Sequence, residues 1–193
     1  MNSIKEAIRH INMGLTQSEN RQIVTFFTLD GEIAQQTLIV NLAVMYGKVG
    51  EKTIILDTEF GNGLFSNVFN LKPGKGLSDY LDDYTLTDND IIQEVTGHNV
   101  GVITSGSENG EHYQTGDPRF SRLIKSLTNK YDHVFINTPS YQDSGEFSSL
   151  LTVSDGVIIV SALKVTKKSK MYHLVDYLKK RNAKILGYVS VKR

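Results

Sequence analysis

One stretch of this chain carries the residue pattern of a phosphate site. Residues 25–60 (TFFTLDGEIAQQTLIVNLAVMYGKVGEKTIILDTEF) set out a strand, a turn, a helix ending near Gly47–Gly50, and a second strand that closes on a carboxylate. A phosphate-binding βαβ unit has this layout. Its glycines let backbone N–H groups curl round the phosphates, a lysine neutralises the β/γ charge, and a Ser/Thr hydroxyl reaches the magnesium ion. Here the layout is kept and the chemistry is replaced. In register with the helix, the lysine position falls on Gln35 and the hydroxyl position on Gln36, with Thr37 next; Ala34 stands for a glycine, and Gly31 is the loop glycine that remains.

Asp30 and Glu32 fall where phosphate oxygens would lie. At an effective dielectric near 20, a carboxylate about 6 Å from a phosphate charge repels it by roughly 3 kcal/mol. Two such groups, with no lysine, weaken triphosphate binding by several orders of magnitude. An ordinary strand-to-helix turn is the alternative reading of the loop alone. Asp57 and Glu59, at the end of the second strand, are read as relics or as acceptors for loop N–H groups, with a divalent cation as the weaker candidate. No metal and no nucleotide cofactor is expected.

Other chemistries are poorly served. There is no cysteine, which excludes disulfides, thiolate nucleophiles and cysteine-bound zinc. His10, His98, His112, His133 and His173 share no ligand spacing and read as structural or surface residues. No Ser-His-Asp arrangement can be defended. The charge of the 193-residue chain sums to zero but is uneven: residues 76–118 hold nine acids and no Lys or Arg, and residues 164–193 hold ten bases against Asp176. Such a tail reads first as a solvated helix face and second as a docking surface for an acidic partner or lipid headgroups. Without interleaved aromatic platforms it does not point to nucleic acid.

The elements that must position the site alternate in period. Apolar runs at Gln22–Thr28, Thr53–Asp57, Val100–Thr104, His133–Asn137, Val157–Ser161 and Ile185–Val191 read as buried strands. Helical stripes lie between them: Ile4, Ile8, Ile11 and Leu15; Leu38, Leu42, Met45 and Val49; Phe120, Leu123, Ile124 and Leu127; Met171, Leu174, Val175 and Leu178. The expected fold is α/β, a doubly wound, mostly parallel sheet with helices on both faces, forming one domain over 1–193. Ligands in such sheets bind beyond the carboxyl ends of the strands. The glycine-rich stretch Gly101–Gly116 is expected to be a mobile loop. Apolar runs of four to six residues are too short to span a bilayer, so a soluble, cytoplasmic protein is expected, reaching the inner face of the membrane only through a partner.

In order along nearly the whole chain, the motifs resemble those of the bacterial tyrosine kinases of capsule and exopolysaccharide clusters, relatives of the MinD/ParA ATPases in the P-loop group. The family's helix E-A-x-R-x-x-R-T-N is similar to Glu6-Ala7-Ile8-Arg9-His10-Ile11-Asn12, with Asn12 for the second arginine. P-G-E-G-K-S-T followed by N-L-A corresponds to GEIAQQT and Asn41-Leu42-Ala43. L-I-D-A-D corresponds to Ile55-Leu56-Asp57-Thr58-Glu59, and G-L-S-D-Y-L is matched letter for letter at Gly76–Leu81. The magnesium strand Y-D-x-V-I-I-D-T-P-P reads Tyr131-Asp132-His133-Val134-Phe135-Ile136-Asn137-Thr138-Pro139-Ser140, its aspartate now Asn137. S-D-G-V-I-I-V and I-L-G-Y-V complete the set.

The resemblance implies an ATP-dependent protein-tyrosine kinase fold. Phosphoryl transfer relies on positioning and electrostatic stabilisation, so the losses at Gln35, Gln36 and Asn137 imply a catalytically inactive member. Such a protein would regulate or scaffold polysaccharide assembly, with no catalytic residues and a vestigial nucleotide site at Asp30, Gly31, Glu32, Gln35, Gln36, Thr37, Asp57, Glu59 and Asn137. Its implied partners are a membrane polysaccharide co-polymerase or adaptor, and homologous kinase subunits or copies of itself. Residues 1–15, through Glu6 and Arg9, would sit at a subunit interface. The family's tyrosine-rich tail has no counterpart in Tyr172, Tyr177 and Tyr188, and its loss is expected to be native; Tyr172 and Tyr177 are expected to pack. Two alternatives stay open: an unconventional ATPase or kinase of the same pathway, using ATP, Mg, Asp57, Glu59 and a displaced lysine such as Lys48 or Lys75; and a MinD/ParA-like positioning factor.

Overall fold

The computed structural model describes residues 11, 23–30, 32–59, 63–106, 116–142, 147–163 and 165–191. Seven strands form one sheet: β1 (Ile23–Thr28), β2 (Thr53–Asp57), β3 (Gln93–Val95), β4 (Val100–Ile103), β5 (His133–Asn137), β6 (Gly156–Ala162) and β7 (Ile185–Val191). Their order is β3-β4-β2-β5-β1-β6-β7, with every pair parallel except β3–β4. The helices are α1 (Glu32–Lys48), α2 (Leu64–Phe69), α3 (Leu77–Asp82), α4 (Asp88–Ile91), α5 (Pro118–Lys130), α6 (Ser148–Val153) and α7 (Lys168–Lys180).

The doubly wound arrangement follows from the uninterrupted apolar strands. Successive side chains point to opposite faces, so each strand feeds two cores. Phe27, Ile54, Leu56, Val134, Ile136 and Ile159 face α5 and α7, where Phe120, Leu123, Ile124, Leu127, Leu174 and Leu178 close that core. Their neighbours Val24, Phe26, Ile55, Phe135, Ile158 and Val160 face Leu38, Ile39, Leu42, Ala43 and Tyr46 of α1. Both faces are thereby covered, as a parallel sheet requires.

Several sequence expectations shift by a residue or a face. The buried face of α1 runs through Gln35, Leu38, Leu42 and Tyr46, while Val49 is exposed beyond the helix end. Tyr172 does not pack: 71% of it is exposed, because Leu174 and Leu178 carry the buried stripe of α7. Tyr177 does pack, against the Tyr141 ring at 5.2 Å and under the Arg181 guanidinium at 3.8 Å. Gly101 lies inside β4 and not in a loop; residues 107–115 of that stretch fall outside the described residues. The short antiparallel edge strand β3 gave no apolar run to read. Of the stripe over residues 1–15, Ile11 is described and is buried in the α1-side core; Glu6 and Arg9 lie outside the described residues.

The segment Gly76–Leu81 has a specific steric reason for its glycine. Gly76 N donates to Asp79 Oδ2 at 2.8 Å, and Leu77 N donates to Thr104 O at 2.8 Å, seating α3 against the end of β4. A Cβ on Gly76 would stand 2.4 Å from Gly106 N and 2.5 Å from Thr104 O, both backbone atoms. Gly76→Ala is therefore expected to cost about 2–4 kcal/mol, as overpacking against atoms that cannot rotate away. Urea denaturation checks this; an unchanged midpoint would remove the close approach as the reason for the glycine.

Candidate functional site

Strand register brings the site together. Asp57 of β2 is level with Asn137 of β5, and Asn137 is level with Phe26 of β1, whose chain leads into α1, where Gln35 and Gln36 are buried about one turn from its start. Parity does the rest. Asp57 and Asn137 each lie two residues beyond a side chain, Ile55 and Phe135, that faces α1. Both polar side chains therefore point toward the helix at the carboxyl end of the sheet.

There they form one hydrogen-bonded network. Gln35 Nε2 donates to Asn137 Oδ1 and to Thr138 O, each at 2.7 Å. Asn137 Nδ2 donates to Asp57 Oδ1 at 2.8 Å and to Glu59 Oε2 at 3.4 Å. Gln36 Nε2 donates to the same Glu59 Oε2 at 2.8 Å, and Glu59 N closes back on Asp57 Oδ1 at 3.0 Å. Gln35, Gln36, Asn137 and Thr138 are fully buried, and Asp57 is 2% exposed. Thr138 Oγ1 donates to Phe26 O at 2.9 Å, tying the end of β5 to β1. Thr37 is outside the network; its hydroxyl donates back along the helix to Ile33 O at 2.6 Å.

The orientation of Gln35 is fixed by chemistry. A carbonyl such as Thr138 O can only accept, so Nε2 must face it. That leaves Oε1 buried with no hydrogen-bond donor. Where a phosphate site places a cationic donor, this chain places an acceptor. The electrostatics agree. Burial pushes the Asp57 carboxyl up to about 7, against the lowering effect of the Asn137 amide and the Glu59 N–H, and the nearby Glu59 charge raises it further.

The loop has its own cation, supplied from elsewhere. Lys170 of α7 reaches Asp30 Oδ1 at 3.3 Å, a partner the sequence gave no means of pairing across 140 residues. Gly31 and the side chain of Glu32 lie outside the described residues. Of the two displaced lysines considered above, Lys48 stands far along the helix. Lys48 is 13 residues down α1 from Gln35, about 20 Å at 1.5 Å per residue. Lys75 helps hold the Asp83 carboxyl below the ordinary range, after the Thr85 hydroxyl and N–H.

Beside the network, a cavity of about 530 Å³ opens beyond the ends of β2 and β4. Asp57, Ser66, Asn67, Lys72, Gln93 and Ser105 line it among others, a polar wall with one cation. No group of three or more His, Cys, Asp or Glu among the described residues is placed to hold a metal ion. No helix among them is long and apolar enough to cross a membrane.

Comparison with known proteins agrees with the motif order. No protein-family model matches the chain. It is 25% identical over 194 aligned positions to CapB of Staphylococcus aureus, covering 98% of this chain and 85% of that protein. To the tyrosine-protein kinase CpsD of Streptococcus agalactiae it is 23% identical, covering 94% and 79%. Among solved structures, the chimerical protein CapA2B2 superposes with a TM-score of 0.83 at 24% identity, over 96% of this chain and 81% of that one. The septum site-determining protein MinD of Pyrococcus horikoshii, in complex with Mg-ADP, superposes at 0.71 with 25% identity, over 86% and 68%. In strand order, motif order and sequence, the chain is similar over nearly its whole length to bacterial tyrosine-protein kinases, on the P-loop fold that MinD shares.

Proposed function

We propose that this chain is a catalytically inactive relative of the capsule-locus tyrosine kinases, regulating or scaffolding polysaccharide assembly through bound partners. The observation that carries the reading is the closed amide–carboxylate network of Gln35, Gln36, Asn137, Asp57 and Glu59. A magnesium nucleotide does not fit these residues. The Gln35 amide N–H groups are committed to Asn137 and Thr138, its free oxygen is an acceptor facing no donor, and the Gln36 amide is held on Glu59. The fold family's electrostatic catalysis requires fixed positive charge at the transferred group, and no side chain of the network supplies it.

The partners follow from resemblance: a membrane polysaccharide co-polymerase or adaptor, and homologous kinase subunits or copies of this chain, with Glu6 and Arg9 at the contact. The protein would occupy a subunit position at the inner face of the membrane without turning over ATP.

Calorimetric titration with Mg-ATP and with Mg-ADP tests the reading. No saturable heat is expected up to about 1 mM nucleotide, the range in which binding is weaker than roughly −4 kcal/mol. A dissociation constant below about 100 µM for either nucleotide would overturn it in favour of an unconventional ATPase or kinase.

A further inference from the structure

A second feature, outside the network, sits on the same pole of the sheet. The turn between β6 and α7 leaves two aliphatic side chains in solvent: Leu163 is 42% exposed and Val165 is 45% exposed. The turn is held, since Val165 N and Thr166 N both donate to Ala162 O and Thr166 Oγ1 accepts from Ala162 N at 3.2 Å. Leu163 and Val165 therefore lie next to the hydrogen bonds that join Val165 and Thr166 to Ala162.

The helix that follows begins against its own dipole. A helix N-terminus carries partial positive charge and favours acids. The N-cap of α7 is Lys167, with no side-chain cap, and Lys168 and Lys170 fill the first turn without a single acid. Lys170 is compensated by Asp30. Lys167 and Lys168 are exposed and have no ion pair among the described residues. Further along, Tyr172 is exposed between them and Lys179, and Lys180 is paired with Asp176 at 2.8 Å. At Lys167 and Lys168 a local rule is broken with no compensating ion pair among the described residues, the pattern expected where a surface serves a partner.

We propose that this face is a peripheral membrane-binding surface: Leu163 and Val165 enter the headgroup boundary of an anionic bilayer, and Lys167 and Lys168 engage its phosphates. The combination selects the occupant. Aliphatic side chains flanked by lysines, with an exposed tyrosine beside them, match an interface that is apolar below and anionic above. Each basic residue near an anionic leaflet contributes about 1 kcal/mol, so two lysines and an aliphatic pair give weak, salt-sensitive attachment. That is sufficient for a protein also held by a membrane partner. Because Lys170 joins this helix to the Asp30 loop, docking would turn the carboxyl pole of the sheet, with its closed network, toward the membrane. The surface does not depend on the nucleotide reading and can fail or succeed separately from it.

Co-sedimentation of the whole chain with vesicles decides it, using phosphatidylglycerol–phosphatidylcholine mixtures against pure phosphatidylcholine, at low and high salt. Binding is expected only to the anionic vesicles and is expected to fall as salt shortens the Debye length. Lys167→Gln with Lys168→Gln should lower the partition coefficient about 25-fold, roughly fivefold for each lysine. Leu163→Ser with Val165→Ser should lower it independently, and both pairs lie on the surface, so thermal unfolding should match the wild type. Equal binding to neutral vesicles, no binding at low salt, or equal competition by polyglutamate would overturn the proposal; the last would assign the face to an acidic protein.

Discussion

Asn137→Asp, which restores the carboxylate of the resembled magnesium strand, is expected to destabilise this protein by about 2–4 kcal/mol at pH 8. Asn137 is fully buried and is the hub of the network, accepting from Gln35 while donating to Asp57 and Glu59. An aspartate keeps the acceptor and loses the donor. Losing a buried donor leaves its acceptors unsatisfied at about 1–3 kcal/mol, and a third carboxylate is then set beside two others in a site that already pushes Asp57 up. For a chain of this size each kcal/mol moves the melting temperature by about 2–4 °C, so thermal unfolding should fall by roughly 5–15 °C. Asn137→Ser, smaller but able to donate, should fall less. A melting temperature unchanged in Asn137→Asp would mean that the network is not a closed unit, and the inactive reading would lose its main support.

The second large effect is in pH. Burial raises the Asp57 carboxyl from its ordinary 3.8 to about 7 in the folded protein. Between these values the native state holds a proton that the unfolded chain has released, so stability falls as pH rises through the window and is lowest above about 7. The wild type should therefore be more stable near pH 5 than near pH 8 so far as this group controls it, opposite to the trend set by an ion-paired aspartate. Asp57→Asn removes the dependence. Its Oδ1 can still accept from Asn137 Nδ2 and Glu59 N, so the variant should be the more stable of the two at pH 8 by about 1–3 kcal/mol and should show a flatter profile. Urea denaturation at pH 5, 6, 7 and 8 measures both. Equal slopes in the variant and the wild type would show that Asp57 is ionised in the folded state across this range.

The sheet was legible because its strands are apolar on both faces, and that alternation survives in any sequence that must fill two cores. Six strands could be placed to within a residue or so. β3 could not, since Gln93–Val95 earns its place by pairing with β4 and not by composition. Motif order at the carboxyl ends of the strands and the start of α1 also named the polar set Gln35, Gln36, Asp57, Glu59 and Asn137. What the sequence could not carry was the bonding among them. A glutamine in a lysine position reads as a loss; only its contacts with Asn137 and Thr138 make it a partner. The Lys170–Asp30 link was beyond reach for a different reason. A sequence separation of 140 is bridged where the start of α7 meets the turn after β1, and no local pattern encodes that proximity. Tyr172 was misjudged because an aromatic one step off the Leu174 stripe looks the same on paper whether it tucks in or stands out.

The shared wiring of the three amides also bears on how the resembled motif could be reached from this one. Changing any one of them to lysine, serine or aspartate takes a contact from its neighbours, so each single step toward that motif is expected to cross a less stable intermediate. Such wiring behaves as a ratchet: the rest of the surface is free to drift, while these positions exchange only by several changes at once.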